Sequence, residues 1–336
     1  MSDFKINSIA TKQGQHGPVI AGVSTVNSTG CMKIPSGPTE HRGGRGRMVT
    51  YGGADGSNYL NSMNTMDIAT TGSAVDFGDS SKTNGFSSGM ASSTRGVFKQ
   101  GRSPGYTGIM EFVNFSSLGG VTDFGSDEGI QQDSSASSAD NTRGIFGNGT
   151  GYYGKIQFIT LASTGDTSEF GTLSSGRYQG GGSGGASQTR GFFFGGRTPV
   201  PATVNTIEFV TIQSKGDAVD FGDLTVARRA IAAVTNATRA VACSGDTPAT
   251  NTMDFITMAS EGNATDFGDI TRQAAGYGAG GSTQTRGVIT GCSPDSKNSI
   301  DFITFSTTGN ATDFGDTTYD SYLNGACSDS HGGLTL

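Results

Sequence analysis

The sequence has no tryptophan, only three histidines, and four cysteines in 336 residues. None of the cysteines forms a Cys-x-x-Cys pair, and three scattered histidines are too few to complete a zinc site around them. We interpret the cysteines as small buried apolar residues, with disulfides or a metal site as the alternatives. We therefore expect no metal and no cofactor. The four cysteines are Cys31, Cys243, Cys292 and Cys327.

Long apolar runs and excess positive charge are also missing. No stretch approaches the roughly 18 to 20 apolar residues that span a bilayer, and residues 1–5 lead into no apolar export signal. The net charge is -7 and the isoelectric point is about 4.9. Nucleic-acid binders usually carry a basic patch. We therefore expect neither membrane insertion nor a nucleic-acid partner.

What the sequence does have is glycine, 55 residues of it, and an internal repeat. An Asp/Glu-Phe-Gly tripeptide recurs at intervals of 47, 46, 51, 46 and 47 residues. Each copy also has an arginine that begins a short apolar run. The tripeptides start at Asp76, Asp123, Glu169, Asp220, Asp266 and Asp313, and the arginines are Arg47, Arg95, Arg143, Arg190, Arg239 and Arg286.

Each repeat contains four short segments with the composition of β-strands. In the last copy these are 284–291, 300–305, 311–316 and 323–328, separated by glycine-rich or polar turns. Four strands per unit of about 47 residues are typical of a propeller blade. We predict an all-β, six-bladed β-propeller over residues 42–336, with residues 1–41 as a short N-terminal extension. A solenoid is the alternative.

The two ends of the repeat region complement each other. The first copy begins at Arg47 without a preceding small-residue strand, whereas the chain ends just after such a strand, near Ala326 to Ser330. We therefore expect the C-terminal strand to pair with the strand at Met48 and to close the ring, covering edges that would otherwise aggregate.

The order of strands in the unit resembles the kelch repeat. Gly52-Gly53 and Gly195-Gly196 match its double glycine, and Arg228 and Arg272 lie where many kelch repeats have arginine. The chain departs from the pattern by having no tryptophan; the Phe of each tripeptide takes the aromatic position. The resemblance implies the propeller architecture and no particular function.

The amino-acid sequence of the repeats, for example at 308–316 and 189–196, resembles that of repeats in structural proteins of marine tailed bacteriophages, including cyanophages. The leader, 17–26 followed by 35–44, is similar to the start of such proteins. The resemblance implies a virion protein assembled in the host cytoplasm, in the manner of a tail-fibre or knob module for host attachment. A capsid, neck or tail decoration protein is the alternative. A homo-oligomer within the particle is expected.

The repeated acids are candidates for paired-carboxylate glycoside hydrolysis, the second alternative. A residue present in every blade is more simply structural, so we predict no enzyme activity and no catalytic residue. A sialidase Asp-box needs tryptophan, and copper oxidase chemistry needs clustered His and Tyr. We expect the tripeptide aspartates to bond turn backbone, and a second set of acids to pair with the repeat arginines. The second set is Asp67, Glu111, Glu208, Asp254 and Asp301.

The loop after the glycine-terminated strand differs most between copies, and varied loops on a rigid scaffold carry binding. These loops should lie on one face of the propeller. Exposed Tyr beside Asn and Arg suits stacking on sugar rings or anchoring a protein; covering of blade edges is the alternative. The candidate binding residues are Asn58, Tyr59, Arg102, Tyr106, Tyr152, Tyr153 and Arg197.

Residues 1–41 contain one apolar β-rich segment, 19–26, flanked by Gly and Pro. A lone strand needs a partner, so we predict that it docks by strand addition on another virion protein, a sister subunit or the propeller. The proposed assembly residues are Val19, Ile20, Val23 and Val26. In this interpretation residues 1–41 are the anchor and the propeller is the outward module.

Overall fold

The computed structural model describes residues 46–334 except for 104, 128–132, 134, 150, 152–153, 179–184, 201, 272–275 and 293–297. Within these residues the chain forms only strands and turns, in six small antiparallel sheets arranged as a six-bladed β-propeller. The fold class predicted from the repeat is confirmed. The assembly residues Val19, Ile20, Val23 and Val26 lie outside the described residues.

The blades follow one another in the order of the repeats. Blade 1 contains β1 (Arg47–Tyr51), β2 (Leu60–Asp67), β3 (Val75–Asn84) and, from the far end, β23 (Gly325–Ser328). Blade 2 contains β4 (Ser88–Ala91), β5 (Arg95–Lys99), β6 (Ile109–Asn114) and β7 (Thr122–Ser126). Blade 3 contains β8 (Ala136–Ala139), β9 (Arg143–Gly147), β10 (Lys155–Thr160) and β11 (Ser168–Thr172).

Blade 4 contains β12 (Arg190–Arg197), β13 (Thr203–Thr211) and β14 (Val219–Asp223), and an isolated bridge from Ala186 to Gly191 takes the place of its innermost strand. Blade 5 contains β15 (Ala232–Thr235), β16 (Arg239–Gly245), β17 (Thr250–Thr257) and β18 (Thr265–Asp269). Blade 6 contains β19 (Ala279–Ser282), β20 (Arg286–Thr290), β21 (Ser299–Thr304) and β22 (Thr312–Asp316).

Because the strands of a blade alternate in direction, the molecule has two different faces. We call one the turn face: it has the turns from the first to the second strand and from the third to the fourth strand of each blade. We call the other the loop face: it has the connections from the second to the third strand and from one blade to the next. The innermost strands, rich in Gly, Ala and Ser, surround the axis.

The hydrophobic core is divided into six clusters, one between each pair of neighbouring blades. The Phe of each tripeptide is buried in one of them, as the stacking of blades through repeated apolar positions predicted. Cys243, Cys292 and Cys327 are buried and form no disulfide among the described residues, which agrees with their interpretation as small apolar residues. Cys31 lies outside the described residues.

The glycine of each tripeptide permits a backbone contact between blades. In blade 4 the Phe221 carbonyl accepts a 2.8 Å hydrogen bond from the Gly262 N–H in a turn of blade 5. Gly222 has φ +146°, and a Cβ there would lie 2.4 Å from the Gly262 oxygen. A residue with a side chain rarely adopts this φ, and the Gly262 carbonyl leaves no room for its Cβ atom. Comparable contacts join all six pairs of blades, which explains why the tripeptide recurs.

The ring closes through β23, which pairs with β1 so that Val49 lies opposite Cys327. Asp329, the first residue after β23, accepts hydrogen bonds from the backbone N–H groups of Gly46 at 2.6 Å and Arg47 at 3.0 Å. In the other blades a side chain three residues before the repeat arginine makes the bond to its N–H. The C-terminal segment thus completes both the sheet and the first turn of blade 1.

Residues 329–334 then cover the axis on the turn face. His331 Nε2 lies 2.9 Å from the Ala91 carbonyl of blade 2, and the Gly332 N–H donates to the Thr235 carbonyl of blade 5 at 3.1 Å. His331 and Leu334 are buried. This segment therefore ties together blades that lie far apart around the ring.

In blades 2 to 6 the repeated charges do not take the roles expected of them. Among the described residues the repeat arginines of these blades do not pair with the acids of the hairpin; each lies over a Phe ring of its own blade, 4.1 to 4.8 Å from the ring centroid. Each also donates to a carbonyl of the following blade, and the bond from Arg286 of blade 6 to Ala69 of blade 1, at 3.1 Å, completes the circle. The tripeptide acids lie exposed on the outermost strand.

Other residues pair with the hairpin acids and bond the turn backbone. Asp254 pairs with the buried Arg228 at 2.7 Å, and Glu208 pairs with Arg177, both arginines coming from connections between blades. Asp67 is out of register with the other hairpin acids, and Asn64 holds that position in blade 1. Turn residues of the next blade bond the backbone after the tripeptide: Asp166, Asp217, Asn263 and Asn310.

Candidate ligand-binding site

The predicted binding residues that the structure describes lie on the loop face: Asn58, Tyr59, Arg102 and Tyr106 belong to second-to-third-strand connections, and Arg197 is the last residue of β12. Tyr152 and Tyr153 lie outside the described residues. Asn58 is exposed in a turn where Asp55 accepts its N–H at 2.8 Å. Tyr59 is half-buried and its ring covers Gly85, where a Cβ would lie 2.7 Å from the ring. Gly85 in turn exchanges two backbone hydrogen bonds with Arg102, at 2.9 and 3.1 Å.

Arg102 is held on several sides at once. Its Nε donates to the buried carboxylate of Asp133, and its Nη2 donates to the Tyr106 hydroxyl at 3.0 Å. Its guanidinium carbon is 5.1 Å from the ring centroid of Phe86 and 4.8 Å from that of Tyr106. A guanidinium group stacked between two rings is fixed in position before any ligand arrives.

A series of three backbone hydrogen bonds runs part of the way around the axis at this end. Phe86 N–H donates to the Leu323 carbonyl at 2.7 Å, Leu323 N–H to Tyr277 at 3.0 Å, and Tyr277 N–H to Ala230 at 2.8 Å. All four residues have φ between +55° and +64°. Non-glycine residues in this conformation are strained, and such strain is concentrated at functional sites. This series of bonds holds aromatic side chains from different blade connections close together: Phe86 and Tyr277 meet edge to face at 6.3 Å.

A second ion pair lies beside these backbone hydrogen bonds. Arg229 donates to Asp246 from Nε at 3.1 Å and from Nη2 at 2.7 Å, and the Tyr277 hydroxyl is 3.5 Å from the same carboxylate oxygen. Both members of the pair are partly exposed. Each arginine of the site is therefore fixed by a carboxylate.

Tyr178 links the two ion pairs. Its backbone pairs with that of Arg197, at 2.8 and 2.9 Å, which places Arg197 at the edge of the same area. Burial raises the pKa of Tyr178 to about 12, and the charges of Asp133 and Tyr277 add to the rise while Arg102 and Arg229 oppose it. Groups from several blades therefore share one electrostatic environment.

We call this site the mouth: Phe86, Arg102, Tyr106, Asp133, Tyr178, Arg229, Asp246 and Tyr277.

Sequence reasoning found two of these eight residues, Arg102 and Tyr106, and missed the rest. The missed residues lie in the connections between blades, apart from Asp246, which follows β16. One signal was available: Phe86 and Tyr277 each stand two residues before an innermost strand, where an aromatic side chain must lie beside the axis.

The mouth combines groups whose chemistry suits ligand binding. It offers aromatic ring faces beside guanidinium donors, while both carboxylates are engaged by arginines. Burial raises the pKa of Asp133 and Arg102 opposes that rise. Among the described residues no group of three or more His, Cys, Asp or Glu side chains is arranged to hold a metal ion.

No family model matches the chain, and a search of curated proteins finds no match. In the described ranges no helix suited to crossing a membrane is found.

Proposed function

We propose that this chain is a non-enzymatic attachment module of a bacteriophage particle, of the tail-fibre or knob kind, and that it binds carbohydrate on the host surface through the mouth. The observation that carries the proposal is the convergence of four aromatic residues and two fixed arginines around the axis of the loop face. The phage part of the proposal rests on the resemblance of the repeats and the leader.

Aromatic rings with polar neighbours suit a sugar. The apolar face of a pyranose stacks on a Tyr or Phe ring, and guanidinium and hydroxyl groups at the ring edges satisfy its hydroxyls. Arg102 and Arg229 are already held by carboxylates, so little side-chain entropy is lost on binding. A binding site of this kind needs no group that changes chemically.

The topology supports a division of labour between the two faces. Gly46, where residues 1–45 join the propeller, is bonded to Asp329 on the turn face. The mouth lies at the other end of the axis. An N-terminal anchor, if Val19 to Val26 dock as proposed, would therefore leave the mouth facing away from the particle.

Two features support a non-enzymatic function over glycan hydrolysis. The mouth carboxylates are committed to arginines, and the repeated tripeptide acids lie exposed on outer strands of all six blades, away from the axis. Hydrolysis would need a pair of carboxyl groups arranged around one glycosidic bond.

Adsorption to host cells tests the proposal. The purified full chain should bind cells with intact surface polysaccharide and lose binding after periodate oxidation of those sugars. Tyr106→Ala, which removes a 40% exposed ring at the mouth, should weaken adsorption about 10-fold or more, on the scale of an interface hot spot. Leu118→Ala removes a 58% exposed side chain on the turn face and should change adsorption less than twofold.

Each other outcome has a definite meaning. Adsorption that survives periodate contradicts a carbohydrate ligand, and equal effects of the two variants contradict the mouth as the site. No adsorption at all contradicts host attachment and favours a capsid, neck or tail decoration protein. Release of sugar fragments from the polysaccharide contradicts the non-enzymatic assignment.

A further inference from the structure

We infer that the saccharide bound at the mouth is anionic and bears carboxylate or sulfate groups; this rests on the proposed function and names its ligand class. The inference comes from counting which donors and acceptors at the mouth are already used. Arginine recognises such groups through planar, charge-assisted hydrogen bonds.

Arg102 keeps donors for a ligand. Its Nε is engaged by Asp133 and its Nη2 by Tyr106, whereas its Nη1 makes no hydrogen bond within the part of the chain that the structure describes. The side chain is 30% exposed, and Asp133, on its far side, is fully buried. A ligand therefore meets the cation and not its counter-ion.

Arg229 repeats this arrangement. Both of its bonded nitrogens donate to the same oxygen of Asp246, which leaves Nη1 without a partner among the described residues. The Tyr277 hydroxyl is 3.5 Å from that same oxygen, Oδ2, so these contacts leave Asp246 Oδ1 as an acceptor beside the Nη1 donor of Arg229. This pair therefore offers a ligand both a donor and an acceptor, and the excess of donors at the mouth comes from Arg102.

The charges of the mouth itself balance, because Arg102 and Arg229 face Asp133 and Asp246. Arg197 adds one positive charge at its edge, in a chain whose net charge is -7. Aromatic faces alone would suit a neutral sugar as well. The unused guanidinium donors make an anionic sugar the better fit.

Matched polymers test the inference. Binding of the full chain is measured with dextran sulfate, with unsulfated dextran and with polygalacturonate, at low and at physiological salt. Dextran sulfate or polygalacturonate should bind at least 10-fold more tightly than dextran, with affinity falling as salt rises. Preference for dextran sulfate identifies sulfate as the recognised group, and preference for polygalacturonate identifies carboxylate.

Three charge-removing variants locate the site. Arg229→Gln and Arg197→Gln should each weaken binding of the preferred polymer about 10-fold, and Lys215→Gln, which removes the same charge on the turn face, should stay within twofold. The Arg229–Asp246 pair is partly exposed, so Arg229→Gln should fold, and its thermal midpoint is measured alongside.

The outcomes separate the inference from the proposed function. Equal binding of dextran and dextran sulfate overturns the anionic class and leaves carbohydrate attachment standing. Equal loss in Lys215→Gln overturns the site, because it shows a diffuse charge effect. No binding to any polymer overturns the inference, and periodate-sensitive adsorption to cells then decides whether the proposed function fails with it.

Discussion

The turn face and the loop face are built from the same six repeats but use them differently. On the turn face the same contacts recur: arginine over phenylalanine, arginine to the next carbonyl, and glycine against glycine. On the loop face the two ion pairs at the axis do not occupy equivalent positions. Arg102, after β5, pairs with Asp133 in the connection between blades 2 and 3, whereas Arg229, in the connection between blades 4 and 5, pairs with Asp246, after β16. Repeated residues therefore hold the ring together, and residues that occur once make the site.

Two consecutive arginines show the difference most sharply. Arg228 is fully buried and donates to Asp254 at 2.7 Å and to the carbonyls of Ser244 and Ala242. Arg229, the next residue, forms a partly exposed pair with Asp246. The same chemistry serves the fold in one case and the mouth in the other.

Replacing these arginines in turn should have the largest effect. Arg228→Gln leaves the Asp254 charge buried without its ion-pair partner and should lower the free energy of unfolding by about 3 to 5 kcal/mol. Arg229→Gln should cost about 1 kcal/mol or less, because exposed pairs contribute little. Denaturant unfolding of both variants measures this. Similar losses would mean that the two arginines do not divide fold and site as described.

The glycine contact between blades comes next. Gly222→Ala forces a side chain into a left-handed conformation and against the Gly262 carbonyl, and should destabilise the protein by about 3 kcal/mol from strain and overpacking. Gly120→Ala is the control: its Cβ would meet only the Asp79 oxygen, at an ordinary 3.7 Å. Thermal unfolding should separate the two variants, and equal midpoints would show that the tripeptide glycine is dispensable.

Removing a contact that closes the ring should lower the free energy of unfolding by less. Asp329→Ala removes a charged cap from two buried N–H groups across the ends of the ring and should cost about 1.5 to 3 kcal/mol. Ser187→Ala removes the corresponding cap within blade 4, where the chain is continuous, and should cost about 1 kcal/mol. Urea midpoints test the ranking. If Ser187→Ala were the more harmful change, Asp329 would not be what secures the closure.

Alkaline pH should give the smallest effect, part of it through Tyr178 on the loop face. Since the folded state raises the pKa of Tyr178 from 10 to about 12, it keeps a proton that the unfolded chain loses. That contribution to stability is fully present below pH 10 and is lost as pH rises toward 12. Tyr178→Phe should lose less stability over this window. Burial also raises the pKa of Tyr51 and Tyr319, so some loss should remain. Coinciding curves for variant and wild type would contradict the shift.

The architecture could be predicted because it depends on periodicity within one chain. The spacing of the tripeptides counts the blades, and the short β-rich runs locate their strands. The contacts between repeats could not be predicted from spacing: Arg95 and Glu111 are both repeated, but only the packing of blade 3 on blade 2 shows that Arg95 bonds the Leu161 carbonyl. The mouth was mostly missed for the same reason, because Phe86, Tyr178 and Tyr277 come together only when the ring is closed.

The most direct test of the division between the two faces is cryo-electron microscopy of the phage particles in which this chain is proposed to assemble, at a resolution that orients a six-bladed disc. The account predicts discs whose turn face, with Gly46 and the covered axis, points toward the particle while the mouth points outward. A disc bound to the particle through its loop face, or particles without any disc, would contradict it.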